Sequence, residues 1–195
     1  SALIVIGVAI WLIATGGEPL ISHVRTINLP NSGMISADGR DYSVKSAAFV
    51  LPDRVQNWTA QIAKSKAGEG RDYTSLDGTC QAEVTRTKMT NDRVTLDSAI
   101  AEAKKDALTQ MRVQKAETKL PAIKLKDSEG DQMYEFLRQR YSYTSQTDQS
   151  LVTEVAVRTL GGYRLQIVST CSQTDWDQND AGRDAIVNAV RIAVE

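Results

Sequence analysis

Leu151–Ser172, LVTEVAVRTLGGYRLQIVSTCS, is the stretch whose reading decides the fold class. Two arms rich in β-branched and aliphatic residues, Leu151–Leu160 and Tyr163–Ser172, flank Gly161-Gly162. A two-residue hairpin turn needs positive φ at its central positions, and glycine adopts it without a steric penalty. In the second arm Tyr163, Leu165, Ile167, Ser169 and Cys171 recur with period two, so they share one face, read as the core side. The spacing predicts an antiparallel hairpin.

Working outward, the same period recurs. Met133–Thr144 alternates, with Leu137, Tyr141 and Tyr143 on one side, and Ser128–Asp131 before it reads as a turn. Lys115–Lys126 reads as an extended piece around Pro121, placed at a sheet edge because proline cannot donate to a ladder. Thr79–Met89 puts Cys80, Ala82 and Val84 on one side and Gln81, Glu83 and Thr85 on the other. Tyr42–Leu51 reads as a strand, with Ser43 and Lys45 marking a polar side.

Helical spacing supplies the other elements. Pro52 is suited to a first helical position and Asp53 to the positive end of the macrodipole, with Val55, Trp58 and Ile62 following at helical intervals. Trp58 is read as a core anchor. After Asn91-Asp92, Thr95 or Asp92 caps a helix with the stripe Leu96, Ile100, Ala103, Ala107, Leu108 and Met111. Asp175–Asp184 reads as a capping region, and Ile186, Val187, Val190, Ala193 and Val194 as the stripe of a terminal helix. Polar, glycine-bearing Lys64–Gly78 reads as an exposed loop. The expectation is an α+β domain over residues 42–195, an antiparallel sheet covered by helices.

The N-terminus differs in kind. Ala2–Ala14, ALIVIGVAIWLIA, carries no charge. Its run of about 13 apolar residues is shorter than the ~20 that span a bilayer, and matches a signal-peptide core in length. The chain starts at Ser1 with no Met and no basic flank, which reads as the outer part of a single transmembrane helix that begins further upstream. Residues 1–17 are then the anchor, carried by Leu3, Ile4, Ile6, Ile10, Trp11 and Leu12, with Trp11 near the interface. The competing reading is a buried core helix. Gly16-Gly17 and Pro19 end the segment, and residues 18–41 form a connector.

The charge balance, 23 Lys and Arg against 24 Asp and Glu, leaves no basic stripe and no acidic tail, so no nucleic-acid partner is expected. Two cysteines, Cys80 and Cys171, sit in similar strand-like surroundings. An even, low count in a tethered domain points to one disulfide and an oxidising, extracytoplasmic compartment; the alternative is two buried thiols in the cytosol.

Candidate chemistry is sparse. Asp175–Asp180, DWDQND, spaces oxygen ligands as a calcium loop does, but the sixth position is Asp180 where glycine belongs, so helix capping explains it better. His23 is the sole histidine and sits in the connector just after the anchor, so it builds no triad unless the connector folds over the domain. Asn57-Trp58-Thr59 is a glycosylation sequon, set aside because Trp58 reads as buried. Arg138, Arg140, Arg158 and Arg164, with Tyr134, fall on outer strand faces and form either a binding surface or cross-strand pairs with acids such as Glu154. Asp72 and Asp77, before Cys80, are the carboxylates an enzyme would use. No catalytic set, cofactor or metal site is expected.

The order of these elements resembles the PsbP-like family, whose bacterial relatives include actinobacterial lipoproteins of the LpqN type. The likeness covers Tyr42–Glu195 and is carried by Pro52 and Trp58, by LDSAIAEAKKDALTQM, and by GGYRLQIVSTC followed by AIVNAVRIAVE. It implies an α/β/α sandwich and a non-enzymatic accessory role. No cysteine near the start offers a lipid attachment, so a retained helix takes the lipid's place. By analogy the chain is similar to a single-pass accessory subunit of an actinobacterial respiratory supercomplex joining cytochrome bc and cytochrome oxidase. The expected partners are a larger integral membrane complex and the bilayer. The alternative is a tethered module that binds lipid, glycolipid or a small envelope ligand.

Overall fold

The computed structural model describes residues 44–65, 68–89, 101–102, 104–105, 109, 111–178 and 180–195. The anchor and connector expected over residues 1–41, His23 and the helix caps at Asp92 and Thr95 lie outside these residues. No helix among the described residues is long and apolar enough to cross a membrane.

Ten strands and two short helices make up most of the described chain. The strands are β1 (Ala47–Val50), β2 (Arg54–Val55), β3 (Trp58–Ser65), β4 (Gly68–Ser75), β5 (Cys80–Lys88), β6 (Met111–Lys126), β7 (Met133–Ser145), β8 (Ser150–Leu160), β9 (Tyr163–Ser172) and β10 (Arg191–Val194). The helices are α1 (Gln173–Gln178) and α2 (Asp180–Ala189). Eight strands form one antiparallel sheet in the order β2-β3-β4-β5-β9-β8-β7-β6, and β1 pairs with β10 in a separate ribbon.

The β8–β9 hairpin lies inside the sheet, as its sequence predicts. Leu160 pairs with Tyr163 across Gly161 and Gly162, whose φ values are 57° and 75°. Leu165, Ile167 and Cys171 join the main core with Cys80, Ala82 and Val84 of β5. The opposite face of β9 is also covered: Val168 packs with Tyr141, Tyr143, Leu151 and Val155 in a second cluster. Both faces are therefore shielded, which is why an apolar run such as VAV in β8 is tolerated there.

The main core is capped by the ribbon and the two helices. Ala47 and Phe49 of β1, Ile192 and Val194 of β10, Trp176 of α1 and Ile186 of α2 all close on the sheet. This is a mostly antiparallel β-sheet with two short helices on its main-core face. Several of the expected elements differ, for local causes.

The helix expected from Pro52 is a β-hairpin: Val55 pairs with Trp58, and Asn57 turns the chain at φ 64°. Asparagine tolerates the left-handed region, so Gln56-Asn57 serves as a two-residue turn. Trp58 is nevertheless a core anchor, 7% exposed. The loop expected over Lys64–Gly78 contains β4, held on both sides by β3 and β5. A Cβ at Gly70 would come within 2.5 Å of the Val84 carbonyl oxygen, so glycine is there for close strand approach and not for looseness.

Residues 101–102 and 104–105 are helical, within the predicted Leu96–Met111 helix, but Met111 opens β6 instead of ending that helix. The terminal helix stops at Ala189, and Ala193 and Val194 belong to β10. Ile192 and Val194 face the core, and β10 gives β1 the backbone partners that a continuing helix, bonded to itself, could not supply. The Asp175–Asp184 capping region is itself helical, and the cap is Ser172, whose Oγ accepts from the Asp175 N–H at 3.1 Å.

Candidate functional site

Cys80 and Cys171 stand directly opposite each other on β5 and β9 and are joined as a disulfide, with S–S 2.05 Å. Both are buried in the main core. Around them the chain is tightly hydrogen-bonded. The Ser75 hydroxyl accepts from the Cys80 N–H at 2.9 Å and donates to Asp77 at 2.6 Å. Asp177 of α1 accepts from the Gln173 amide at 3.0 Å. Asp175 behaves differently: its carboxylate oxygen lies 2.7 Å from Cys80 Sγ. A disulfide sulfur carries no hydrogen, so this contact is not a hydrogen bond. The first four residues of the DWDQND segment lie in α1, and one of its acids abuts the cystine.

The carboxylates considered for chemistry part ways. Asp77 sits in the β4–β5 turn, where hydrogen bonds from the Ser75 hydroxyl and then the Thr79 backbone N–H hold its carboxyl below the usual range. That is a turn acid, fully engaged. Asp72 lies on β4 directly opposite Glu83 of β5, and burial raises its carboxyl above the usual range. Asp72 lies on β4 and Asp77 in the β4–β5 turn, and they face different neighbours.

The expected arginine surface is mostly interior. Arg138 and Arg140 both pair with Glu154, at 2.8 and 3.1 Å, which is the cross-strand arrangement. Arg158 is wholly buried, donates to the Glu135 carbonyl oxygen at 2.8 Å and lies 5.7 Å from the Tyr134 ring centre. Tyr134 is also buried and donates to Asp127 at 3.1 Å. Arg164, 6% exposed, pairs with Glu102 at 2.7 Å. For Arg158 the error was one of strand parity; Arg164 keeps the expected parity, but it lies on the face that Val168 shares with the second cluster. Arg158 shares the core face with Ala156 and Leu160, and no pattern in the sequence marks a charged residue as buried. In the sequon Trp58 is buried as read, while Asn57 is exposed at the turn.

The second sheet face carries a buried hydroxyl chain. Tyr143 and Thr153 are 3.1 Å apart, and Thr153 and Thr170 2.7 Å, crossing β7, β8 and β9. Burial pushes the Tyr141 phenol up to about 12, and it raises Tyr143 and Tyr73 as well.

An open edge of the sheet is β6. It closes the sheet at one edge, pairs only with β7, and its residues 112–119 are all exposed. Arg112, Lys115, Lys119, Lys124 and Lys126 stand against the single acid Glu117. Glu117 is engaged by Lys104, whose hydrogen bond lowers the carboxyl below its usual range. Val113 is 51% exposed. Register shifts flank the regular stretch from Ala116 to Leu120. Pro121 lies on this edge, where the sequence placed it.

No family model matches the sequence, and no curated protein does. Among the solved structures to which the chain is similar are two at low identity. One is the solution structure of cyanobacterial PsbP, CyanoP, from Synechocystis sp. PCC 6803, at 13% identity and TM-score 0.45, covering 78% of this chain and 95% of that one. The other is LpqN of Mycobacterium tuberculosis, described as involved in cell envelope biogenesis, at 13% identity and TM-score 0.46, covering 76% and 85%. The Pro52–Trp58 segment, part of what carried the sequence resemblance, is a hairpin and not a helix.

Proposed function

We propose that this chain is a non-catalytic accessory subunit on the extracytoplasmic side of a membrane. Ala2–Ala14 tethers it, and the folded head packs against a larger membrane-protein complex that it stabilises or helps to assemble. The observation that carries the reading is β6, a 16-residue edge strand exposed over residues 112–119. An edge strand exposed over such a run presents unpaired backbone groups and is a template for docking. The Cys80–Cys171 bridge supports an oxidising compartment. The assembly named by analogy is an actinobacterial respiratory supercomplex of cytochrome bc and cytochrome oxidase.

The test is purification of the full chain from native membranes in a mild detergent. The expected result is co-migration with a large complex, with cytochrome absorbance in the same fraction if the supercomplex is the partner. Co-migration without cytochromes keeps the accessory role and removes the supercomplex. Recovery only as a free monomer overturns the proposal.

A further inference from the structure

We infer that the segment received by the β6 edge is an extended acidic strand of the partner, hydrogen-bonded along Ala116–Leu120, with carboxylates set against Lys115, Lys119 and the Arg138–Arg140 pair. The inference rests on the docking role given to β6 above and names the chemistry of what docks there.

The backbone sets the window. Ala116–Leu120 pairs in regular register with Ser142–Arg138 of β7, and register shifts bound it on both sides. In such an antiparallel pair every other residue turns its N–H and C=O away from the partner strand, so the window offers those groups to the open edge. Pro121 closes it, having no N–H to give. A short extended segment fits there, whereas a long flat one meets the irregular flanks.

Charge selects the segment. Several charges on β6 are already answered: Arg112 by Asp148, Lys126 by Asp131 and Glu117 by Lys104, while Lys124 stands directly opposite Glu135. Lys115 and Lys119 are different. The Lys115 ammonium donates to the neutral Ser150 hydroxyl at 3.0 Å, and among the described residues no carboxylate pairs with either lysine. One strand inward, Arg140 lies opposite Thr118 and Arg138 opposite Leu120, so both guanidiniums share the face of those two residues. Both are half-buried and lean on one carboxylate, Glu154, which leaves the trio with a surplus positive charge. Lys119, opposite Gln139, lies on the other face. The edge is therefore cationic on both faces, and an incoming strand meets a cation whichever way its side chains alternate. A second copy of this chain would set lysine against lysine, and like charges across a strand pair repel.

The experiment is amide exchange of the full chain in mild detergent, with a short end-blocked peptide of alternating glutamate and valine as the probe. Its lysine–valine counterpart is the control. The acidic peptide should slow exchange at residues 116–120 and the basic one should not. Both lysines are exposed, so changing them leaves the core intact. Lys115→Glu/Lys119→Glu should weaken peptide binding about tenfold, and Lys115→Arg/Lys119→Arg should retain it. If the acidic peptide leaves residues 116–120 unprotected, or the reversal variant binds it as well as wild type does, the inference falls. If phosphatidylglycerol vesicles protect these residues and the peptide does not, the edge faces a lipid surface and the inference falls too. Equal co-migration of wild type and reversal variant with a large complex from native membranes keeps the accessory role and removes the acidic strand. Recovery of wild type only as a monomer removes that role, while the peptide result still decides the chemistry of the edge.

Discussion

At the level of single residues, burial and backbone conformation decide most outcomes, and only some of this can be read from a sequence. Gly161-Gly162 was legible because positive φ is a property glycine advertises. The two glycines differ in context, however. A Cβ on Gly161 would lie 2.9 Å from the Ser46 backbone, whereas nothing lies within 4 Å at Gly162. Gly161→Ala should therefore cost about 2 kcal/mol in urea unfolding, while Gly162→Asn should be close to neutral, since asparagine tolerates φ above zero. Asp72 offers a second case. Its carboxyl is raised by burial and it opposes Glu83 across the strand pair. Its ionisation therefore weakens the fold: the stability it contributes when protonated is present below pH 3.8 and lost as pH rises through its raised value. Asp72→Asn should stabilise the protein at pH 7 by roughly 0.5–1 kcal/mol and leave it unchanged at pH 3. Equal effects at both pH values would show that the charge is not the cause. The buried Arg158 was not legible: its burial follows from strand parity and register, which neighbouring strands set.

At the level of elements, period two was read reliably where alternation was strict, as in β5 and β9. It failed where short-range signals pointed elsewhere. Pro52-Asp53 is a good helix start in isolation, yet Asn57 supplies a turn and Trp58 is drawn into the core. In β4 the residues Gly68, Gly70, Asp72 and Ser75 look like a loop, and only pairing on both sides makes them a strand. The helix after β9 rests on Ser172, so Ser172→Ala should cost about 1 kcal/mol, read from the denaturation midpoint. For β6, residues 112–119 should exchange backbone hydrogens fastest among the sheet strands in the isolated chain. They should gain protection in the membrane complex if β6 is the docking edge. Unchanged exchange on assembly would place the contact elsewhere.

Across the whole molecule, the sheet is built largely from neighbours in sequence, with one long-range closure. The pairing of β5 with β9 joins residues 80–88 to residues 163–171, bypassing β6, β7 and β8. This is why an antiparallel class could be argued from local hairpins while the strand order could not: the closing partner of β5 is not encoded near it. The cystine sits at that closure, with a sequence separation of 91. A cross-link there removes unfolded-chain entropy worth on the order of 4 kcal/mol in the loop model. Cys80→Ala/Cys171→Ala should therefore lower the melting temperature by about 10 °C, given ~2–4 °C per kcal/mol in a domain of this size. Because the effect acts on the unfolded chain, native β5–β9 pairing should survive in the variant, visible as retained amide protection in both strands. Loss of that protection at low temperature would mean that the bridge itself holds the two halves of the sheet together.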